Sequence, residues 1–119
     1  MKQYITPDQL NELSEKGKKR LRKWWKRQDG DLVEWLGYER VLHSVSMECE
    51  FWPDKEELLP LLSIGQMIEF LEDKTKSEFH IFRRVIDWKI VYEGLDYGKK
   101  LGEGICDALW EAIKEILEK

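Results

Sequence analysis

The sequence predicts an α+β fold: a small antiparallel sheet of three or four strands packed by about three helices in two layers. Three observations carry this. Capping boxes at Thr6 and Ser63 open two helical stretches, residues 41–52 and 86–92 alternate with period two, and residues 103–118 hold a broad apolar arc at helical spacing. The 119 residues, 42% hydrophobic and 37% charged, are expected to form one soluble domain, 1–119. It comprises a basic N-terminal helix over 6–27 and an α+β body over 28–119.

Thr6-Pro7-Asp8-Gln9 is the first capping box, with Pro7 at the helical position where a missing N–H costs nothing. Ile5 and Leu10 are placed as a hydrophobic staple. At about 100° per residue, Leu10, Leu13, Gly17, Leu21 and Trp24 fall on one stripe, with Trp25 at its margin. Gly17 weakens a helix by about 1 kcal/mol relative to Ala, and its place on the stripe suits close approach of another element. The helix is expected to end near Gln28.

Val41, His43, Val45, Met47, Cys49 and Phe51 alternate with Leu42, Ser44, Ser46, Glu48, Glu50 and Trp52, the pattern of a strand with one apolar face. Residues 31–36 are expected to pair with it through Gly37-Tyr38. Pro53 stops the strand, and 54–59 reads as one helical turn. Ser63-Ile64-Gly65-Gln66 then opens a helix with Leu62 and Met67 as its staple, Ile64, Met67, Ile68 and Leu71 on one face, and an end near Asp73-Lys74. Phe70 lies off that face.

Over 78–92 the alternation changes phase at Val85-Ile86. Two strands joined by a bulge or tight turn explain it, and a helix through Phe79, Phe82, Val85 and Ile86 competes. Residues 94–104 read as a Gly-rich linker. The last helix, 103–118, buries Ile105, Cys106, Leu109, Ala112, Ile113, Ile116 and Leu117, an arc wide enough to be covered on two sides.

Charge divides sharply along the chain. Residues 1–27 hold nine Lys or Arg against three Asp or Glu, whereas the whole chain carries −4. A basic element on an acidic body can engage phosphates, acidic protein surfaces or a second copy of the chain as a homodimer. The alternative function is nucleic-acid binding through Lys19, Arg22, Lys23, Lys26 and Arg27, with Trp24 or Trp25 stacking on a base. Against it, Trp24 lies on the core stripe, the rest of the chain is acidic, and the cations gather where the helix dipole favours them. No apolar run is long enough for a membrane span, so no membrane partner is expected. The stretch MKQYITPDQ lacks an apolar signal region, and two cysteines suggest a reducing, cytoplasmic setting.

The sequence offers little to chemistry. His43 and Cys49 sit about 20 Å apart on an extended strand, too far to share a metal, and His80 and Cys106 form no ligand spacing. No phosphate-binding glycine pattern is present. Neither an enzyme nor a cofactor is expected. Glu48, Glu50, Asp54, Glu56 and Glu57 gather around Trp52, an acidic, aromatic-centred set suited to a basic partner surface; a solvated strand face and turn would read the same way.

Four blocks, ITPDQLNEL with KKRLRKWWK, GDLV, LLPLLSIGQMIEFLED and CDALWEAIKEIL, resemble a family of small phage- and prophage-encoded proteins of Firmicutes. They cover about half of the chain, while residues 34–57 share no pattern with the family. The resemblance implies an accessory phage gene whose product binds a host protein in the bacterial cytoplasm. Inhibition of a host defence system, as by anti-CRISPR proteins, is one such role. It brings no catalytic or binding residues with it.

Overall fold

The computed structural model describes residues 2–28, 30–41, 58–75, 79–83, 87–92, 98–102 and 104–119. The fold is α+β, with helices α1 (Pro7–Leu10), α2 (Glu15–Trp24), α3 (Ile64–Thr75) and α4 (Ile105–Glu118). The strands are β1 (Leu32–Trp35), β2 (Tyr38–Val41), β3 (Leu59–Pro60), β4 (Phe79–Arg83), β5 (Trp88–Tyr92) and β6 (Gly98–Gly102). They lie in two antiparallel sheets, β2-β1-β3 and β4-β5-β6, where periodicity suggested one. The chain divides into two units, Thr6–Leu61 and Met1–Ile5 with Leu62–Lys119.

In the unit Thr6–Leu61, the first capping box forms as the sequence requires. The Gln9 amide donates to Thr6 Oγ1 at 3.2 Å, and Gln9 Oε1 accepts the Thr6 amide at 3.0 Å. The helix it opens does not run to residue 27, however. It stops after one turn, and Ser14 caps a second helix by accepting the Gly17 amide on its hydroxyl at 3.1 Å. A short hydroxyl side chain competes for backbone donors, so it favours a fresh start over helix continuation. The stripe survives the break, since Leu10, Leu13, Gly17 and Leu21 are all buried.

The hairpin β1–β2 pairs Leu32 with Val41, Val33 with Arg40, Glu34 with Glu39 and Trp35 with Tyr38. Its two-residue turn is Leu36-Gly37, one position earlier than expected. Both residues have positive φ, 55° and 85°, the requirement of a type I′ turn. Gly37 adopts this freely and donates its amide to Glu34 Oε1 at 2.7 Å, whereas Leu36 is held in a region L-residues avoid. On the other side of β1, Leu59-Pro60 forms β3 in place of the end of a helical turn. The run Leu58–Leu62 is buried throughout. Pro60 is tolerated because β3 is an outer strand of this sheet among the described residues.

In the second unit, Ser63 and Gln66 make both bonds of their capping box, at 3.1 and 2.9 Å. The segment before it is stitched to the N-terminal residues: Ile5 donates its amide to Leu62, Ile64 to Gln3, and Lys2 pairs with Asp107 at 2.7 Å. Phe70 proves fully buried along with Met67 and Leu71. Phe79–Arg83 and Trp88–Tyr92 form the two-strand alternative and not a helix, with Ile81 opposite Ile90 and Phe82 opposite Lys89, while the phase change at Val85-Ile86 lies outside the described residues. Ile90 is buried on the inner face, while the Lys89 ammonium lies 5.9 Å over the Phe82 ring on the outer one.

Within the stretch read as a Gly-rich linker, Gly98–Gly102 is a strand that pairs along the whole of β5. α4 packs against β5 and β6 on one side and α3 on the other, which is why its buried arc takes in Trp110 as well as Cys106, Leu109, Ala112, Ile113 and Leu117.

The turn makes a direct prediction. Replacing Leu36 by Asn, which tolerates the left-handed region, should raise stability by about 1 kcal/mol, because an L-residue there costs roughly 1–2 kcal/mol. Chemical denaturation measures this; an unchanged or lowered midpoint would contradict the turn geometry.

Candidate interaction surface

The unit Thr6–Leu61 sorts its side chains around one anchor. α2 ends when Trp25 donates its amide to the Leu21 carbonyl and then turns to an extended ψ of 130°. That change of backbone takes Trp25 out of the helical period and into the core, where it is 1% exposed and packs with Val33 and Leu58. Trp24, expected on the stripe, is half-buried beside this cluster together with Trp35. The indole N–H of Trp25 donates to Asp31 Oδ2 at 2.9 Å, and the same oxygen accepts the Gln28 amide at 2.9 Å. One carboxylate thus closes the turn between helix and strand while satisfying a buried donor.

This anchor divides the cations of α2. Arg22 points to the body and donates its Nε to the Leu58 carbonyl at 3.1 Å. Lys18 is half-buried, with its ammonium 3.4 Å from Asn11 Oδ1 and 3.8 Å from Glu15 Oε1. Lys16, Lys19, Arg20 and Lys23 are exposed, and at about 100° per residue they fall within a single stripe roughly 100° wide. Lys26 and Arg27, also exposed, follow the helix. Of the five cations picked out by the sequence, Lys19, Lys23, Lys26 and Arg27 therefore face solvent, while Arg22 serves the fold.

A second exposed surface escaped the sequence reading. β2 is exposed along its whole length, and with its turn it displays Leu36 at 75%, Tyr38 at 64% and Val41 at 46% exposure. The Arg40 guanidinium lies 5.4 Å from the Tyr38 ring centroid. Directly paired residues share a face, so Tyr38 and Arg40 extend the face on which Trp35 and Val33 pack, beyond the part covered by Trp25 and Leu58. The signal was Gly37 four residues before Val41, but the longer alternation across 41–52 drew the strand further along.

The acidic set Glu48, Glu50, Trp52, Asp54, Glu56 and Glu57, with His43 and Cys49, lies outside the described residues. Cys106 is a small buried residue, as expected. Burial pushes its thiol above the ordinary range, with Asp107 adding to the rise and the Lys2 ammonium opposing it. A thiol held protonated in this way is a poor nucleophile. Among the described residues, no group of three or more His, Cys, Asp or Glu gathers where it could hold a metal ion, and no helix is long and apolar enough to cross a membrane. No family model, curated protein or solved structure matches the chain.

Three substitutions test this arrangement. Asp31→Ala should cost about 2 kcal/mol, the range for a hydrogen bond to a charged acceptor, and Asp31→Asn should recover part of it by keeping an acceptor oxygen. Equal losses for the two variants would show that the carboxylate is not the anchor. Lys19→Glu should stabilise by about 0.5 kcal/mol, because it turns like-charge neighbours at Lys16 and Lys23 into attractive pairs. A lower thermal midpoint for this variant would contradict the stripe.

Proposed function

We propose that this chain is a non-enzymatic accessory protein of phage or prophage origin that acts by binding a host protein, and that the β1–β2 hairpin forms part of the contact. The observation that carries the reading is the exposed pair Tyr38 and Arg40 on one face of β2, with the guanidinium over the ring, beside the exposed Leu36 of the turn. Tyr and Arg are the residue types that dominate protein–protein contacts, because each offers a flat apolar surface together with a polar end.

The acidic residues Glu48, Glu50, Asp54, Glu56 and Glu57, with Trp52, follow the hairpin within sixteen residues of Val41 in the sequence. They extend the proposal to a partner with a basic surface. Inhibition of a host defence system is the role the family resemblance supports, and the host cytoplasm is the setting.

The test compares retention of host proteins by the tagged chain and by Tyr38→Ala/Arg40→Ala, after nuclease treatment of the lysate. Both side chains are exposed, so the variant should unfold like the parent while losing at least tenfold in affinity for the retained protein. Charge reversal at Glu48 and Glu50 should weaken the same interaction. Equal retention by parent and hairpin variant, or none by the parent, would overturn the reading.

A further inference from the structure

Strand β2 presents backbone groups as well as side chains. The two-residue turn closes on the Trp35–Tyr38 pair, whose backbones exchange both hydrogen bonds, and along an antiparallel ladder such pairs alternate with pairs that exchange none. Tyr38 and Arg40 therefore aim their amides and carbonyls at β1, while Glu39 and Val41 aim theirs away from it. Among the described residues β2 ends its sheet, and all four of its residues are exposed. On that outer edge the Glu39 carbonyl accepts a hydrogen bond from Arg40 Nη1 at 3.1 Å. The guanidinium meets one edge group, whereas a further strand would meet the amides and carbonyls of both Glu39 and Val41. The face that carries Glu39 also carries Glu34 directly opposite it, with Cβ atoms about 4.5–5.5 Å apart, and like charges so placed are unfavourable. Glu34 is committed to the turn through the Gly37 amide at 2.7 Å, and Glu39 stands exposed at the edge.

We propose that the hairpin's partner contributes an extended segment that adds to the outer edge of β2 as an antiparallel strand, with a Lys or Arg opposite Glu39. The inference rests on the reading of the hairpin as a contact and names the chemistry of what it meets. In strand addition the main-chain bonds supply affinity, and side chains at alternate positions supply the choice of partner. A cation opposite Glu39 offsets the repulsion between Glu39 and Glu34. The residues on either side of it pair with Tyr38 and Arg40 on the other face, where apolar side chains suit the ring. Antiparallel addition continues the ladder already present and is slightly more stable per residue than parallel. A second copy fits less well, because pairing β2 with itself about a two-fold axis through Glu39 or through Arg40 sets like charges directly opposite. Short, charged edge strands resist indiscriminate pairing in this way. Opposite charge, and not exposure alone, selects the occupant.

The test titrates the full chain with a labelled nine-residue peptide of alternating lysine and valine, blocked at both ends, at about 50 mM salt. Fluorescence anisotropy reads affinity, and amide hydrogen exchange reads the edge. Bound peptide should slow exchange of the Glu39 and Val41 amides at least tenfold, and more than those of Tyr38 and Arg40, which already bond to β1. Methyl groups on the lysine amides, which face β2 in this register, should weaken binding at least tenfold; on the valine amides, which face away, they should leave it within threefold. Glu39→Lys should lose at least tenfold in affinity while keeping the parent's far-UV circular dichroism. Glu72→Lys, an equal change of charge at an exposed position of the other unit, should bind within threefold of the parent. A peptide of alternating glutamate and valine should bind more weakly than the lysine peptide. No binding at about 1 mM peptide, equal binding by the two methylated peptides, equal loss in both charge variants, or self-association of the chain that protects the same amides without peptide would each overturn the proposal. Failure of strand addition together with lost host-protein retention by Tyr38→Ala/Arg40→Ala would leave the hairpin contact standing on side chains alone.

Discussion

The hydrogen bond from the Trp25 indole to Asp31 is the constraint on which the N-terminal unit depends. A buried indole N–H left without an acceptor costs about 1–3 kcal/mol, a large share of a small unit's stability, so a partner close by is strongly favoured. Asp31 provides it from six residues away and, with the same oxygen, takes the Gln28 amide. That geometry fixes where α2 stops and where β1 starts. It sets Val33 against Trp25 and Leu58, and brings β3 alongside through the Leu61 amide on the Leu32 carbonyl at 2.8 Å. The orientation of α2 then decides which of its cations reach the body and which reach solvent.

Much of this was legible in the sequence wherever the signal was local. Both capping boxes form because the two bonds of each lie within four residues, and the apolar stripes of α2 and α4 mark most of the buried faces, whereas in α3 the buried face takes in Phe70 and leaves Ile64 and Ile68 half-buried. The break before α2 was harder to see, because Ser14-Glu15-Lys16-Gly17 offers a capping hydroxyl without the reciprocal side chain at the third position. Trp24 and Trp25 exchanged roles because a residue at a helix end leaves the helical period. Gly98–Gly102 holds a single apolar residue among glycines and lysines, so only its partner β5 makes it a strand. Periodicity is likewise silent on which strands share a sheet, and two three-stranded sheets give the same alternations as one.

The candidate surfaces follow the same division. The basic residues were legible as a set, yet the structure alone separates Arg22 from the others, because a hydrogen bond to the Leu58 carbonyl, thirty-six positions away, leaves no trace in local spacing. The hairpin surface was hidden by its turn. Leu36 is a poor residue for a left-handed position, so the sequence carried a weak turn signal at the point where the chain reverses. The acidic, aromatic-centred set stands on sequence alone. Together, the two exposed surfaces of the N-terminal unit differ in chemistry, one cationic, the other aromatic with an exposed apolar turn.

The measurement that tests the account most directly is hydrogen exchange at the indole N–H groups of the full chain, with the Trp25 signal assigned by Trp25→Phe. If Asp31 anchors a buried indole, that proton exchanges far more slowly than an exposed indole and speeds up in Asp31→Ala. Exchange of the Trp25 indole at the exposed rate in the parent protein would contradict the anchor, and with it the sorting of the α2 cations.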